Sequence, residues 1–120
     1  LGLRLAAAGD RKSYAAHNVA FHKLIYDGAR NAILTELAQR TRQRVAVYRR
    51  LAFNIEGLMP TSAGQHARLA RLIAGNKPEQ AGRLMASHMK RSGPMYDDFL
   101  VLLSRSSAPA PRAKRRSLRK

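Results

Sequence analysis

Apolar residues in this chain recur every three or four positions and almost never every second one. Between Ala32 and Ile55, the residues Leu34, Leu37, Val45, Tyr48, Ala52 and Ile55 follow one another at spacings of three, four or eight. That is the repeat of one face of an amphipathic helix. No stretch alternates apolar and polar residues for long. β-Branched residues are sparse, while Ala, Leu, Arg and Gln, all favourable in helices, dominate. The pattern predicts an all-α chain, an antiparallel helical bundle, and at 120 residues a single small domain.

Helix punctuation divides the chain further. Leu1 to Ala8 reads as the end of a helix stopped by Gly9. Asp10 is a good N-cap for a second helix over 11–28, and Asn31 for a third over 32–55. The stretch "EGLMPTSAG" interrupts the repeat at Gly57 and Pro60. Ser62 can cap a fourth helix over 63–74, closed by Gly75. In "NKPEQ", Asn76 can cap a fifth helix, with Pro78 in its first turn and Glu79 in a capping-box position. This helix is expected to run through His88 and to kink or stop at Gly93 and Pro94, after which "MYDDFLVLLS" resumes the helical repeat. From Arg105 onward, Pro, Ser and charge replace any apolar stripe, which predicts a disordered basic tail over 105–120 beyond a domain over 1–104. The chain opens at Leu1 in mid-pattern, so a bundle truncated at its N-terminus is expected.

Composition narrows the chemistry. Hydrophobic residues make up 45% of the chain, enough to build a core. With no cysteine there are no disulfides and no thiolate ligands, so a metal site would use imidazole, carboxylate or amide donors. The lack of cysteine fits a reducing cytoplasm, the expected location. No apolar run approaches the ~18–20 residues of a membrane span. The net charge of +16 draws polyanions without specificity, and the tail residues Arg112, Lys114, Arg115 and Arg116 are candidate phosphate contacts. A solvated end serves as well to explain them. No glycine-rich phosphate loop is present.

The polar residues on apolar faces are more informative. Asn18 and His22 lie one helical turn apart, close to the stripe of Ala15, Ile25 and Ala29. His66 precedes Leu69, Ala70 and Ile73, and His88 follows Ala81, Leu84 and Met85, again at helical spacings. Three imidazoles on the inner faces of three helices can converge in a bundle, and imidazole suits Zn, Ni, Cu and Fe. A lone histidine on such a face is more often a hydrogen-bonded core residue, so the weight lies on the three together. His17 falls off the stripe and is expected at the surface.

The ordered set "N-x-x-F-H" from Asn18, "Q-H-x-x-L-x-x-L-I-x-G-N" from Gln65 and "A-x-x-x-M-x-x-H-M" from Ala81 resembles the FCD domain, as does "DGARNAIL". FCD is the helical effector-binding domain of FadR-type GntR transcription regulators. The resemblance covers roughly residues 5 to 100. It implies a divalent metal, Zn or Ni foremost, held at positions 18, 22, 66 and 88. The family's usual Asp is Asn18 here, so a pocket that works without metal is also open. It implies further a small carboxylate effector, a homodimer, and DNA contact through a winged helix-turn-helix that is not in this chain.

Arg44, sharing a face with Leu37, Thr41 and Tyr48, is the candidate anchor for a carboxylate, with Tyr48 beside it. Two rivals stand next to this sensor. One is a basic helical nucleic-acid binder acting through phosphate contacts. The other is a metallo-enzyme, disfavoured because Asp27 and Glu36 lie away from the histidine faces and leave no general base. No enzymatic activity is expected.

Overall fold

A computed structural model of the protein describes residues 1–90. Those residues form six helices and no strand: α1 (Gly2–Ala7), α2 (Arg11–Gly28), α3 (Ala32–Arg44), α4 (Ala46–Ala52), α5 (Leu58–Ala74) and α6 (Pro78–Lys90). The expected kink at Gly93–Pro94, the helix beyond it and the basic tail lie outside the described residues. No helix among the described residues is long and apolar enough to cross a membrane.

Two caps form as the sequence predicts. The Asp10 carboxylate accepts from the Ser13 amide at 3.0 Å, and the Asn31 side chain accepts from the Leu34 amide at 3.0 Å. Gly9 takes φ 68° and closes α1, with the Asp10 and Gly9 amides donating to the Leu5 and Ala6 carbonyls, the paired bonds of a Schellman motif.

Three boundaries differ from expectation. The third helix breaks at Val45, which sits at φ −101° and ψ 8°, so α3 and α4 replace one long helix. Neither Gly nor Pro marks the break. Thr41 bends the preceding turn by donating its hydroxyl to the Leu37 carbonyl at 2.8 Å, and Val45 is itself β-branched. Next, α5 starts five residues before the predicted first residue. Gly57, at φ 74°, precedes it, and Pro60 fits the first turn because amides there have no intrahelical acceptor. Ser62 is consequently a buried inner-face residue and no cap. Finally, Asn76 does not cap α6. It adopts φ 50° and closes α5, its amide donating to the Ile73 carbonyl and that of Lys77 to Leu72. Glu79 then pairs with Arg83 at 3.7 Å in place of a capping box.

Helix α5 is the centre of the packing, lying against α1, α2 and α6, while α2 also packs on α1 and α3. Ala6, Tyr14, Phe53, Met59 and Ala63 form the apolar core. Tyr14 meets Phe53 edge-on at 5.0 Å between ring centroids. Arg11 donates from Nε to the Phe53 carbonyl at 3.2 Å, tying the start of α2 to the end of α4. Close approach also limits one glycine. A Cβ at Gly2 would lie 2.8 Å from His17 Nε2, so His17 is half-buried against α1 where solvent exposure was expected.

Helices α3 and α4 bury no residue completely. The stripe predicted at Leu34 and Leu37 is more than half exposed.

Candidate metal centre

The buried residues of α2 are Tyr14, Asn18 and His22, each four positions after the last. One helix edge thus carries an aromatic ring, an amide and an imidazole into the interior. Helix α5 contributes His66 between buried Ala63 and Leu69, and α6 contributes His88. Asn18, His22, Ser62, His66 and His88 are all buried, so the interior is nearly as rich in polar as in apolar side chains. Uncompensated polar burial is costly, which marks this region as more than packing.

The three imidazoles meet. His88 Nε2 lies 3.2 Å from His66 Nε2 and 3.3 Å from His22 Nε2. One ring nitrogen from each residue falls within 4.8 Å of both others, close enough to hold a metal ion. Two imidazole nitrogens bound to one zinc at about 2.0–2.1 Å, at a tetrahedral angle, stand about 3.3 Å apart. The separations of 3.2 and 3.3 Å fit that requirement.

Neighbouring rings fix these orientations. Phe21 stacks on His66 at 4.2 Å and meets His22 edge-on at 5.7 Å. Tyr14 lies parallel to His66 on the core side, at 6.5 Å. His88 is held from behind, its Nδ1 lying 2.7 Å from Gln65 Oε1. The amide oxygen can only accept, so Nδ1 carries the proton and donates it, and the Nε2 lone pair points into the cluster. The Nδ1 atoms of His22 and His66 are buried without a hydrogen-bond partner.

Electrostatics keep two of these rings neutral. Burial above all, then the Arg42 guanidinium and the other two imidazoles, push His22 from 6.5 down to about 2. Burial, followed by His88, His17 and the two nearby guanidiniums, pushes His66 down to about 3. Neutral imidazole is the ligand form, so at neutral pH no proton competes with a cation on these two rings. Every carboxylate among the described residues is exposed. Asp27 pairs with Lys23 at 2.5 Å and Glu36 with Arg40 at 2.6 Å, both on the outside of their helices.

Beside the cluster lies a cleft of ≈ 690 Å³ between α2, α3 and α4. Asn18 and Tyr26, one turn to either side of His22, line it, together with Arg42 and Arg49. Arg42 stacks over the Tyr26 ring at 5.9 Å and approaches its hydroxyl at 3.5 Å. The structure therefore brings His22, His66 and His88 together with buried Asn18 alongside. Arg44 and Tyr48 are exposed and are not among the residues lining the cleft. The guanidiniums that do line it, Arg42 and Arg49, were not singled out from the sequence. Their seven-residue spacing, two turns on one face, was the available signal. The tail residues Arg112, Lys114, Arg115 and Arg116 lie outside the described residues.

No curated protein and no solved structure matches the chain. The family model of the FCD domain matches residues 3–91, about three quarters of its length and all three histidines. An FCD domain is the ligand-sensing part of a GntR-type transcription regulator and not a catalytic module. On that match, which covers well over half of the chain, the chain belongs to the FCD domain family.

Proposed function

We propose that this domain senses a small organic acid through a divalent cation, zinc or nickel, held by His22, His66 and His88 with Asn18 beside them. The observation that carries the reading is the pair of Nε2 separations, 3.2 and 3.3 Å, between rings from three helices. When bound, the cation supplies an electrophilic centre for a carboxylate oxygen. The protein's own groups do the rest. Gln65 orients His88, Phe21 and Tyr14 hold His66, and Arg42 and Arg49 offer planar donors that match a carboxylate.

The cleft lies between α2 and the α3–α4 pair, so an occupant that prefers one arrangement of these helices shifts the domain towards it. In a GntR-type regulator such a shift would change the placement of winged-helix domains that read DNA. The exposed apolar residues of α3, Ile33, Leu34 and Leu37, suit a homodimer contact. Elemental analysis of the purified protein and of its histidine variants tests the reading.

A further inference from the structure

The last described turn of the chain ends beside α4. Arg49 donates from Nη2 to the Met89 sulfur at 3.9 Å, so Lys90 leaves α6 close to that helix. Helix α4 packs mainly on α3 and buries no residue. Val47 and Leu51, one turn apart on one face of it, are 57% and 42% exposed. Arg44 and Arg50 flank this face, are exposed, and form no ion pair among the described residues.

The sequence beyond Lys90 has the complementary character. After "RSGP", seven of the nine residues from Met95 to Leu103 are apolar, and the other two are Asp97 and Asp98. Met95, Phe99 and Leu102 recur at helical spacing, as do Tyr96, Phe99 and Leu103. So apolar a stretch is costly to leave in water. Asp97 and Asp98 are also the only acidic side chains after Glu79. The stretch follows residue 91, where the FCD match ends, so the family pattern does not account for it. The connection is short but sufficient. Residues 91–94 span up to about 14 Å, and Gly93–Pro94 suits a reversal.

We propose that residues 95–103 turn back and cover the α4 face at Val47 and Leu51, with Asp97 and Asp98 meeting Arg44 and Arg50. The tether decides between this occupant and a second copy of the chain. A short flexible connection holds the segment at an effective concentration on the order of millimolar, well above that of a free partner at micromolar levels. The covered face fastens α4 to the rest of the bundle, and it does so whether or not the histidine cluster holds an ion.

The full chain has no cysteine, so an introduced pair reports contact directly. Leu51→Cys is combined with Leu100→Cys or with Ser107→Cys, and disulfide formation under diamide is followed by non-reducing electrophoresis and peptide mass spectrometry. Leu100 lies ten positions beyond Lys90 and Ser107 seventeen, so an undocked chain closes the two loops at rates only about twofold apart. Docking is expected to make the Leu100→Cys pair close within one chain at least about tenfold faster than the Ser107→Cys pair. Adding Asp97→Lys and Asp98→Lys is expected to shrink that advantage at least about threefold, since like charges then face Arg44 and Arg50. Rates within about twofold of each other overturn the docking. Disulfides formed mainly between chains overturn it in favour of a second copy on this face. An advantage unchanged by the two lysines overturns the charge pairing. Val47→Cys replaces Leu51→Cys if the latter fails to fold by circular dichroism.

Discussion

His66 and His88 stand 22 positions apart in the chain, yet their Nε2 atoms lie 3.2 Å from one another. Helix α5 ends at Ala74 and α6 begins at Pro78, so a short reversal returns the chain alongside itself and carries His88 back to His66. The Gln65–His88 contact at 2.7 Å then sets which nitrogen faces inward.

That contact is testable. Gln65→Ala frees the His88 ring to rotate and to change tautomer, and is expected to weaken metal binding about 10- to 100-fold, the usual cost of losing a partner behind a ligand. Gln65→Glu keeps an acceptor in place and should retain most of the affinity. Competition titration with a chelator distinguishes them. Equal affinity in Gln65→Ala and the parent protein would show that Gln65 does not orient the ring.

Acid should unfold the metal-free protein early. In the unfolded chain, His22 and His66 take up protons near pH 6.5, while in the folded protein they do so only near about 2 and about 3. Their contribution to stability is complete above pH 6.5 and declines as the pH falls from there towards 3. Each histidine costs about 1.4 kcal/mol per pH unit over that window. Urea unfolding of chelator-treated protein at pH 7.5, 6 and 5 checks this. A midpoint that stays constant down to pH 5 would contradict it.

Tyr14 offers a test of the core. Its ring is fully buried, but its hydroxyl forms no hydrogen bond of good geometry. Burial raises the hydroxyl's pKa, with neighbouring Ser62 acting the other way. Removing a buried hydroxyl that meets Ser62 outside good hydrogen-bond geometry is neutral or stabilising. Tyr14→Phe is therefore expected to change the unfolding free energy by less than about 0.5 kcal/mol or to raise it, while Tyr14→Ala should cost about 3–5 kcal/mol. A loss above about 1 kcal/mol in Tyr14→Phe would reveal a partner for the hydroxyl.

The cleft predicts which arginines matter to an acid ligand. Arg42→Ala and Arg49→Ala are each expected to weaken carboxylate binding about 10-fold or more, the worth of a hydrogen bond to a charged group. Arg44→Ala should leave it unchanged, since Arg44 is exposed away from the cleft. Isothermal titration with whichever of acetate, lactate and succinate gives the largest thermal shift decides between them. A loss in Arg44→Ala alone would relocate the anchor.

The sequence was legible where a local rule acts unopposed. Asp10, Asn31 and Gly9 mark helix ends because cap chemistry needs only neighbouring residues. His22, His66 and His88 were readable as inward-facing because each sits at helical spacing from apolar partners. Asn76 misled because the same side chain suits an N-cap and a left-handed helix end, and the end of α5 took it. Val45 carried no breaker signal, since the bend comes from a hydroxyl–carbonyl bond one turn earlier. Arg42 and Arg49 were hidden in a run rich in arginine, where only the placement of α3 and α4 against α2 shows which guanidiniums face inward.

The most direct test of the metal centre is metal content per chain, measured by inductively coupled plasma mass spectrometry after dialysis against zinc and then against metal-free acetate buffer. The expected result is about one equivalent in the parent protein and less than about a tenth in His22→Ala, His66→Ala and His88→Ala, as three imidazoles share one ion. Full metal content in all three variants would contradict a site at these histidines.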